Sequence, residues 1–346
     1  MKNKKVLIIA LVVVVVLAVV LAVVLLGGEK EYKLGMGAVA GDHTNAQANL
    51  TIATVVLDAD GKIVACRLDV AQNKYAVNEA KNGLVFYSGN DQKNGLQTKK
   101  ELGNKYGMAG KVANVEGSQK LEWYKQAEAF EAWVVGKTVA EVEALKTKLA
   151  GGHNIADDDA LLNAGCTVDV VDFKNAVVAA CKDDQSVTFK AGKDFALGLG
   201  VNSADDKSVY TDDKNYTVKL NVEFAASVVV DGKVVASLND AYQPNVVVVN
   251  GEVTLATVGS YVKAAKNGVF KTKRELKEDY AMRATSAAAG IGKEWFEQSA
   301  AYSAYVVGKT ADEIKGLQLN DELKAGCTIY IGGINAVVAE SITNAR

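Results

Sequence analysis

The residues best suited to bind a ligand in this 346-residue chain are basic and aromatic residues that occur twice, at equivalent positions. Lys99-Lys100 and Lys273-Arg274 stand beside predicted helix starts, where they could grip an anion or a cell-wall polymer, although a solvated face is the favoured interpretation. Periodic aromatic residues on helices are typical of a core, and Trp123 and Trp295 fit that pattern. The aromatics off that stripe are better candidates for stacking on a flavin or sugar ring: Tyr124, Trp133, Phe296 and Tyr305.

Motifs for nucleotide hydrolysis, metal binding and acid–base catalysis are incomplete. Both GKT triplets lack the upstream glycine of a phosphate-binding loop, since Glu131 and Ser303 stand there. Asp157–Asp159 lacks the alternating ligand spacing of a calcium loop. His43 and His153 have no counterparts elsewhere in the duplicated pattern. An electron carrier or a binding module is therefore favoured over an enzyme.

The chain repeats itself once. TKKEL at 98–102 returns as TKREL at 272–276, and AGCT at 164–167 returns at 325–328. The segment 121–138 returns as 293–310, with 10 of 18 positions identical. We therefore predict two tandem homologous domains, residues 29–190 and 191–346, each large enough to bury a core. About 11 extra residues fall in the first repeat, most simply in the loop Gly151–Asp159.

The elements that must position these residues are readable from hydrophobic periodicity. Asp-Gly pairs between apolar alternating runs predict β-hairpins, and Trp123, Ala127, Phe130 and Val134 lie on one face of a predicted helix. A short strand is predicted from Cys166 to Val171. Each repeat is therefore expected to be an α+β domain of two layers, with a mostly antiparallel sheet and helices.

Two cysteines change together between the repeats. Cys66 and Cys181 correspond to Ser237 and Ser341. In an oxidising compartment the pair Cys66–Cys181 is a candidate disulfide. Independent replacement of two small buried residues explains the pattern equally well.

The first 28 residues form a predicted N-terminal transmembrane anchor. Val6–Leu26 is an uninterrupted run of 21 apolar residues, which as a helix spans about 31 Å. The preceding lysines predict a cytoplasmic N-terminus. This gives a single-pass cell-membrane protein that contacts lipid through residues 6–26 and places residues 29–346 outside the cytoplasm. A cleaved signal peptide is the alternative, but its apolar region is normally shorter.

The charge balance argues against nucleic-acid binding. The chain has 39 basic and 41 acidic residues, a net charge of -2. Proteins that bind a phosphate backbone need a basic excess to release counterions. No nucleic-acid partner is therefore expected.

Each repeat resembles the extracytoplasmic FMN-binding domain of membrane redox complexes and surface flavoproteins. The similarity lies in the DGK hairpins and in the AGCT segments with the helix that follows. The resemblance implies that Thr167 and Thr328 carry FMN through a phosphoester bond, with Gly165 and Gly326 in the same binding motif. The family usually has Ser or Thr where this chain has alanine, and Ala where it has cysteine, just before the attachment threonine.

Two hypotheses follow from this resemblance. One is a membrane-anchored, flavin-carrying electron-transfer module with a redox partner in the membrane. The alternative is a non-catalytic cell-surface binding or structural protein of the same fold, with a cell-wall component as its partner and no flavin.

Overall fold

Two antiparallel sheets pack face to face between outer layers of helices. The computed structural model describes residues 28–44, 46–81, 83–87, 96–109, 119–192, 194–212, 214–254 and 270–346. The inner faces of both sheets share one apolar core, with Leu34 and Ile52 from the first repeat against Phe224 and Leu238 from the second. Helices cover the outer face of each sheet through two further cores. The expectation of an α+β protein with mostly antiparallel sheets is confirmed.

The first sheet has the strand order β4-β3-β2-β1-β7. Its strands are β1 (Lys30–Thr44), β2 (Gln47–Leu57), β3 (Ile63–Val77), β4 (Leu84–Tyr87) and β7 (Val187–Ala191). The predicted hairpin at Asp58–Gly61 joins β2 to β3, with Gly61 at φ 73°. The extra residues of the first repeat form a separate hairpin rather than a loop, β5 (Thr147–Ala150) with β6 (His153–Ala156).

The second sheet is built around the long strand β9 (Asn215–Val230). β8 (Ala196–Asp212) runs along one edge of it, while β10 (Lys233–Tyr242) and β11 (Asn245–Val249) share the other. β12 (Glu252–Thr254) pairs with β11. The predicted Asp231-Gly232 turn is present, and an Asn250-Gly251 turn joins β11 to β12. All four turn residues have positive φ, as type I′ hairpins require.

The helices follow the sequence periodicity. In the first repeat they are α1 (Lys99–Leu102), α2 (Trp123–Val134), α3 (Val139–Glu143), α4 (Asp159–Asn163) and α5 (Val171–Cys181). In the second they are α6 (Lys273–Leu276), α7 (Arg283–Ala288), α8 (Trp295–Tyr305), α9 (Ala311–Lys315), α10 (Asp321–Lys324) and α11 (Gly332–Thr343). The predicted apolar face of α2 is buried along its length. Both GKT threonines form full capping boxes with the glutamate three residues later.

Each sheet meets its last helix at a pair of glycines. A Cβ at Gly35 would lie 2.1 Å from the Ala180 carbonyl oxygen, and one at Gly198 would lie 1.7 Å from that of Ser341. Gly37 and Gly200 are as close to the same helices. Only glycine therefore allows α5 and α11 to rest directly on β1 and β8.

The predicted membrane topology has to be corrected. In the residues that the structure describes, no helix is long and apolar enough to cross a membrane. The run Val6–Leu26 lies outside the described residues. The described structure therefore does not support the predicted single-pass anchor. The predictions that depend on it, lipid contact through residues 6–26 and an extracytoplasmic position of residues 29–346, are withdrawn.

The candidate disulfide is also absent, because all four cysteines are buried free thiols. In the second repeat the Ser341 hydroxyl lies 2.6 Å from that of Ser227, which lies 3.5 Å from that of Ser237. In the first repeat Val55 stands in the place of Ser227 in the strand register. Ser341 lies against Gly198 as Ala180 lies against Gly35, so its structural counterpart is Ala180 and not Cys181. Of the two predicted Cys-to-Ser pairs, only Cys66 and Ser237 therefore correspond in the structure.

Candidate functional site

A short capped helix fixes one lysine in each repeat. In α1, Thr98 and Glu101 form a capping box, and Thr272 and Glu275 do the same in α6. A buried aspartate accepts a hydrogen bond from the first turn: Asp69 from Lys100 N at 3.1 Å, and Asp240 from Arg274 N at 3.0 Å. Burial raises the pKa of Asp69 to about 6 and that of Asp240 to about 7.

The lysine that opens each helix lies against two aromatic rings. Lys99 Nζ is 5.2 Å from the ring centroids of both Tyr106 and Trp123. Lys273 repeats this at 5.2 Å and 5.1 Å from Tyr280 and Trp295. These distances are within the range of cation–π attraction. The solvated-face interpretation is therefore wrong for Lys99 and Lys273, and it is also wrong for Arg274, which is buried.

No residue of the described ranges accepts a hydrogen bond from the Lys99 or the Lys273 ammonium. Burial lowers the pKa of each of these lysines to about 8, and the effect is opposed in part by nearby carboxylates. Both side chains therefore remain largely protonated at pH 7. An ammonium with three donors and no hydrogen-bond acceptor among the described residues lacks the direct partners that buried charges normally have.

In the first repeat this ammonium faces a cavity of about 490 Å³. Polar residues of β2 and β3 form one wall, aromatic and thioether side chains form another, and the start of α5 closes a third. The lining includes Asn49, Thr51, Gln72, Lys99, Trp123 and Asp172. The volume is within the range of small-molecule sites.

The extra hairpin of the first repeat forms the rim of this cavity. His153 and Asn154 are exposed there. Asp169 ties the hairpin to α5, because its carboxylate accepts hydrogen bonds from Asn154 N at 2.9 Å and Val171 N at 3.0 Å. Between α9 and α10 of the second repeat, a stretch that the structure describes in full, no such hairpin is present, so the surroundings of Lys99 and Lys273 differ.

Thr167 and Thr328, the residues at the FMN-attachment position, lie on irregular segments rather than on the strand predicted there. Gln126 Oε1 accepts hydrogen bonds from Thr167 N at 2.8 Å and Oγ1 at 3.2 Å, and Gln298 holds Thr328 in the same way. Thr167 is 0% exposed. A side chain so enclosed does not fit a phosphoester-linked flavin.

The glycines of the same motif are used for packing. A Cβ at Gly165 would lie 2.6 Å from Leu121 Cδ1, and one at Gly326 would lie 2.9 Å from Ala301 Cβ. Gly165 also has φ 85°. These positions let the AGCT turn approach the aromatic helix closely, and no phosphate contact is needed to explain them.

The other residues favoured from sequence lie elsewhere. Tyr124, Trp133 and Tyr305 each carry a nearby lysine over the ring, and they do not line the cavity. The signal that could have found the lysines was present. Lys, Tyr, Met and Trp follow one another in both repeats, with seven residues from Lys to Tyr and two from Tyr to Met each time.

Comparison with known proteins gives a partial similarity. No family model matches the chain, and no solved structure matches it. It is 38% identical over 123 residues to a chlorophenol reductase of Desulfitobacterium hafniense, which is 32% of this chain and 36% of the relative. The match thus spans about a third of that relative's length.

Proposed function

We propose that the chain is a non-catalytic binding protein built from two tandem homologous domains, with its working site in the first. The site takes a small ligand that offers a hydrogen-bond acceptor to Lys99. The observation that supports this most directly is the Lys99 ammonium, which faces a cavity of about 490 Å³ and has no acceptor among the described residues.

The position of the Lys99 ammonium lowers the stability of the fold unless a ligand supplies an acceptor. Desolvation of an ammonium opposes folding. The capping box of α1 and the hydrogen bond from its first turn to Asp69 nevertheless hold Lys99 in this position. The same arrangement in the second repeat shows that it is a property of the shared motif. A preformed cavity with one unmet charge is typical of a small-molecule site.

The alternative is a flavin-dependent electron carrier. Its support is the resemblance of the AGCT segments to FMN-binding domains and the partial similarity to a protein named chlorophenol reductase. Against it stand the hydrogen bonds of Thr167 and Thr328 and the complete burial of Thr167. A flavin phosphoester would require Gln126 to release the threonine.

Two measurements separate these functions. The full chain, co-expressed with a flavin transferase, should be colourless and have its unmodified mass. A yellow protein with the mass of one or two FMN groups would favour the electron carrier.

Binding is tested by ligand-observed NMR with mixtures of simple carboxylates, carboxamides and amino acids. We expect at least one compound to bind the wild type and to lose binding in Lys99→Met. The matched control Lys62→Met changes an exposed lysine of the same repeat and should leave binding intact. Binding that is equal in all three proteins would contradict the proposed site.

A further inference from the structure

We infer that the cavity of the first repeat binds a zwitterion of the α-amino-acid type, one per chain, with its carboxylate on Lys99 and its ammonium on Asn49, on the side of the cavity that carries the negative charge of Asp172. This inference rests on the proposed function and names the ligand class for the same site. It follows from comparing equivalent polar groups in the two repeats.

The first unmet group is an acceptor. Asn49 lines the cavity, and its Oδ1 atom is buried with no hydrogen-bond partner among the described residues. Its equivalent in the second repeat is Asn221, since each lies four residues before the alanine that faces the second crossing glycine. Asn221 Oδ1 accepts a hydrogen bond from Gln243 at 2.8 Å. The second repeat therefore supplies internally a donor that the first repeat leaves to a ligand.

The glutamine equivalent to Gln243 is present in the first repeat but bonds elsewhere. Gln72 stands three residues after Asp69, as Gln243 does after Asp240. Gln72 accepts a hydrogen bond from the Tyr106 hydroxyl at 3.1 Å and donates to Gln47 at 3.4 Å. The amide of Asn49 is thus left open although its potential partner lines the same cavity.

The carboxylates have also moved between the repeats. Glu223 stands where the first repeat has Thr51, and Gly333 stands where it has Asp172. A Cβ at Gly333 would lie 1.7 Å from Glu223 Oε2. Glu223 therefore fills the wall beside α11 from the strand side, whereas in the first repeat Asp172 projects from the helix and Thr51 leaves the strand side uncharged.

The charges that line the first cavity set the ligand class. They are one ammonium, Lys99, and two carboxylates, Asp169 and Asp172. Asp169 is engaged by two backbone N–H groups. A simple anion would meet net negative charge, and a simple cation would leave Lys99 without an acceptor. A ligand with one carboxylate and one ammonium supplies an acceptor to Lys99 and a donor to Asn49 Oδ1, and its ammonium offsets the negative charge of the lining. Trp123 and Phe173 offer apolar surface to its side chain.

The experiment is ligand-observed NMR on the full chain with three pools. One contains the standard L-amino acids, one their amides without a free carboxylate, and one the matching carboxylic acids without the amino group. We expect binding from the first pool only, and calorimetry of the best binder should give one site per chain. Asn49→Ala should weaken that binder about tenfold, as expected when one buried hydrogen bond is lost.

Variants separate the inference from the proposed function. Lys99→Met should abolish binding, and Lys273→Met, its counterpart in the second repeat, should leave affinity and stoichiometry unchanged. If carboxylic acids or amides bind as well as amino acids and still require Lys99, the proposed function stands and the zwitterion is wrong. If no pool binds in a Lys99-dependent way, both are wrong. A stoichiometry of two sites per chain would contradict the inference that the second repeat meets the equivalent polar groups internally and binds no ligand.

Discussion

At the scale of single residues, two ammonium groups are largely removed from water and have no hydrogen-bond acceptor among the described residues. Each lies against a Tyr ring and a Trp ring, and each has its pKa lowered by burial to about 8. Cation–π contact returns part of the lost hydration energy. The remainder opposes folding, so the lysines should behave as functional residues that cost stability.

This cost predicts that Lys99→Met stabilises the protein at pH 7. A lysine whose folded pKa is about 8, against an ordinary 10.5, destabilises the fold fully below pH 8 and loses that effect as the pH rises to about 10.5. The shift corresponds to about 3 kcal/mol at most. Urea unfolding at pH 7 and pH 10.5 should show a gain at the lower pH only. An equal loss at both values would contradict the prediction, and Lys62→Met is the exposed control.

The cysteines give a second prediction at this scale. All four are buried free thiols, and burial raises the pKa of Cys66 well above its ordinary value and that of Cys181 to about 11. Low thiolate content and burial should make them inert in the folded chain. A thiol reagent should therefore label none in the native protein and four after unfolding without reductant. Two labelled thiols after unfolding would restore the disulfide.

At the scale of elements, the close crossing of strand and helix carries the architecture. Strand β1 and helix α5 approach so closely that a Cβ at Gly35 would overlap the Ala180 carbonyl. Backbone contacts of this kind cannot be relieved by a change of rotamer. The helix that begins beside the cavity with Asp172 is thereby held against the sheet that carries Asn49.

We expect Gly35→Ala to destabilise the protein by about 1 to 3 kcal/mol or more, because the helix must shift to accept the methyl group. Gly192→Ala is the matched control, since a Cβ there meets nothing within 4 Å. Chemical denaturation of both variants measures the difference. A Gly35→Ala protein as stable as the control would show that the crossing is looser than described.

At the scale of the whole molecule, the repeats are joined by more than their chain. Their sheets share an apolar core, and a buried ion pair links them: Arg274 Nη2 lies 3.1 Å from Asp183 Oδ2, with both side chains less than a tenth exposed. Arg274 also donates to the Gln185 carbonyl at 3.0 Å. The repeats should therefore unfold as one cooperative unit.

Removing one member of this pair leaves the other charge buried. Arg274→Met or Asp183→Asn alone should cost about 3 to 5 kcal/mol, and the double variant should cost less than their sum. Urea unfolding of the four proteins completes the cycle. Additive losses would mean that the pair is not coupled and that the apolar core alone joins the repeats.

Much of the fold could be predicted from sequence because its signals are local. The Asp-Gly turns, the buried stripe of α2 and the capping boxes each depend on residues within a few positions of one another. The packing of the two sheets on each other could not be predicted, since a strand buried on both faces carries no mark of its second neighbour.

The candidate site was only partly predictable. The duplicated Lys99 and Trp123 were visible, but residues far apart in sequence meet only because Asp69 pins α1 beside β3. The resemblance to FMN-binding domains predicts a role for Thr167 instead. Its partner Gln126 lies too far away in sequence for a local pattern to pair the two residues.

The most direct test of the account is calorimetric titration of the full chain with the best-binding amino acid, in parallel with Lys99→Met and Lys273→Met. We expect one site per chain in the wild type, the same site in Lys273→Met, and no heat of binding in Lys99→Met. Unchanged binding in Lys99→Met would contradict it.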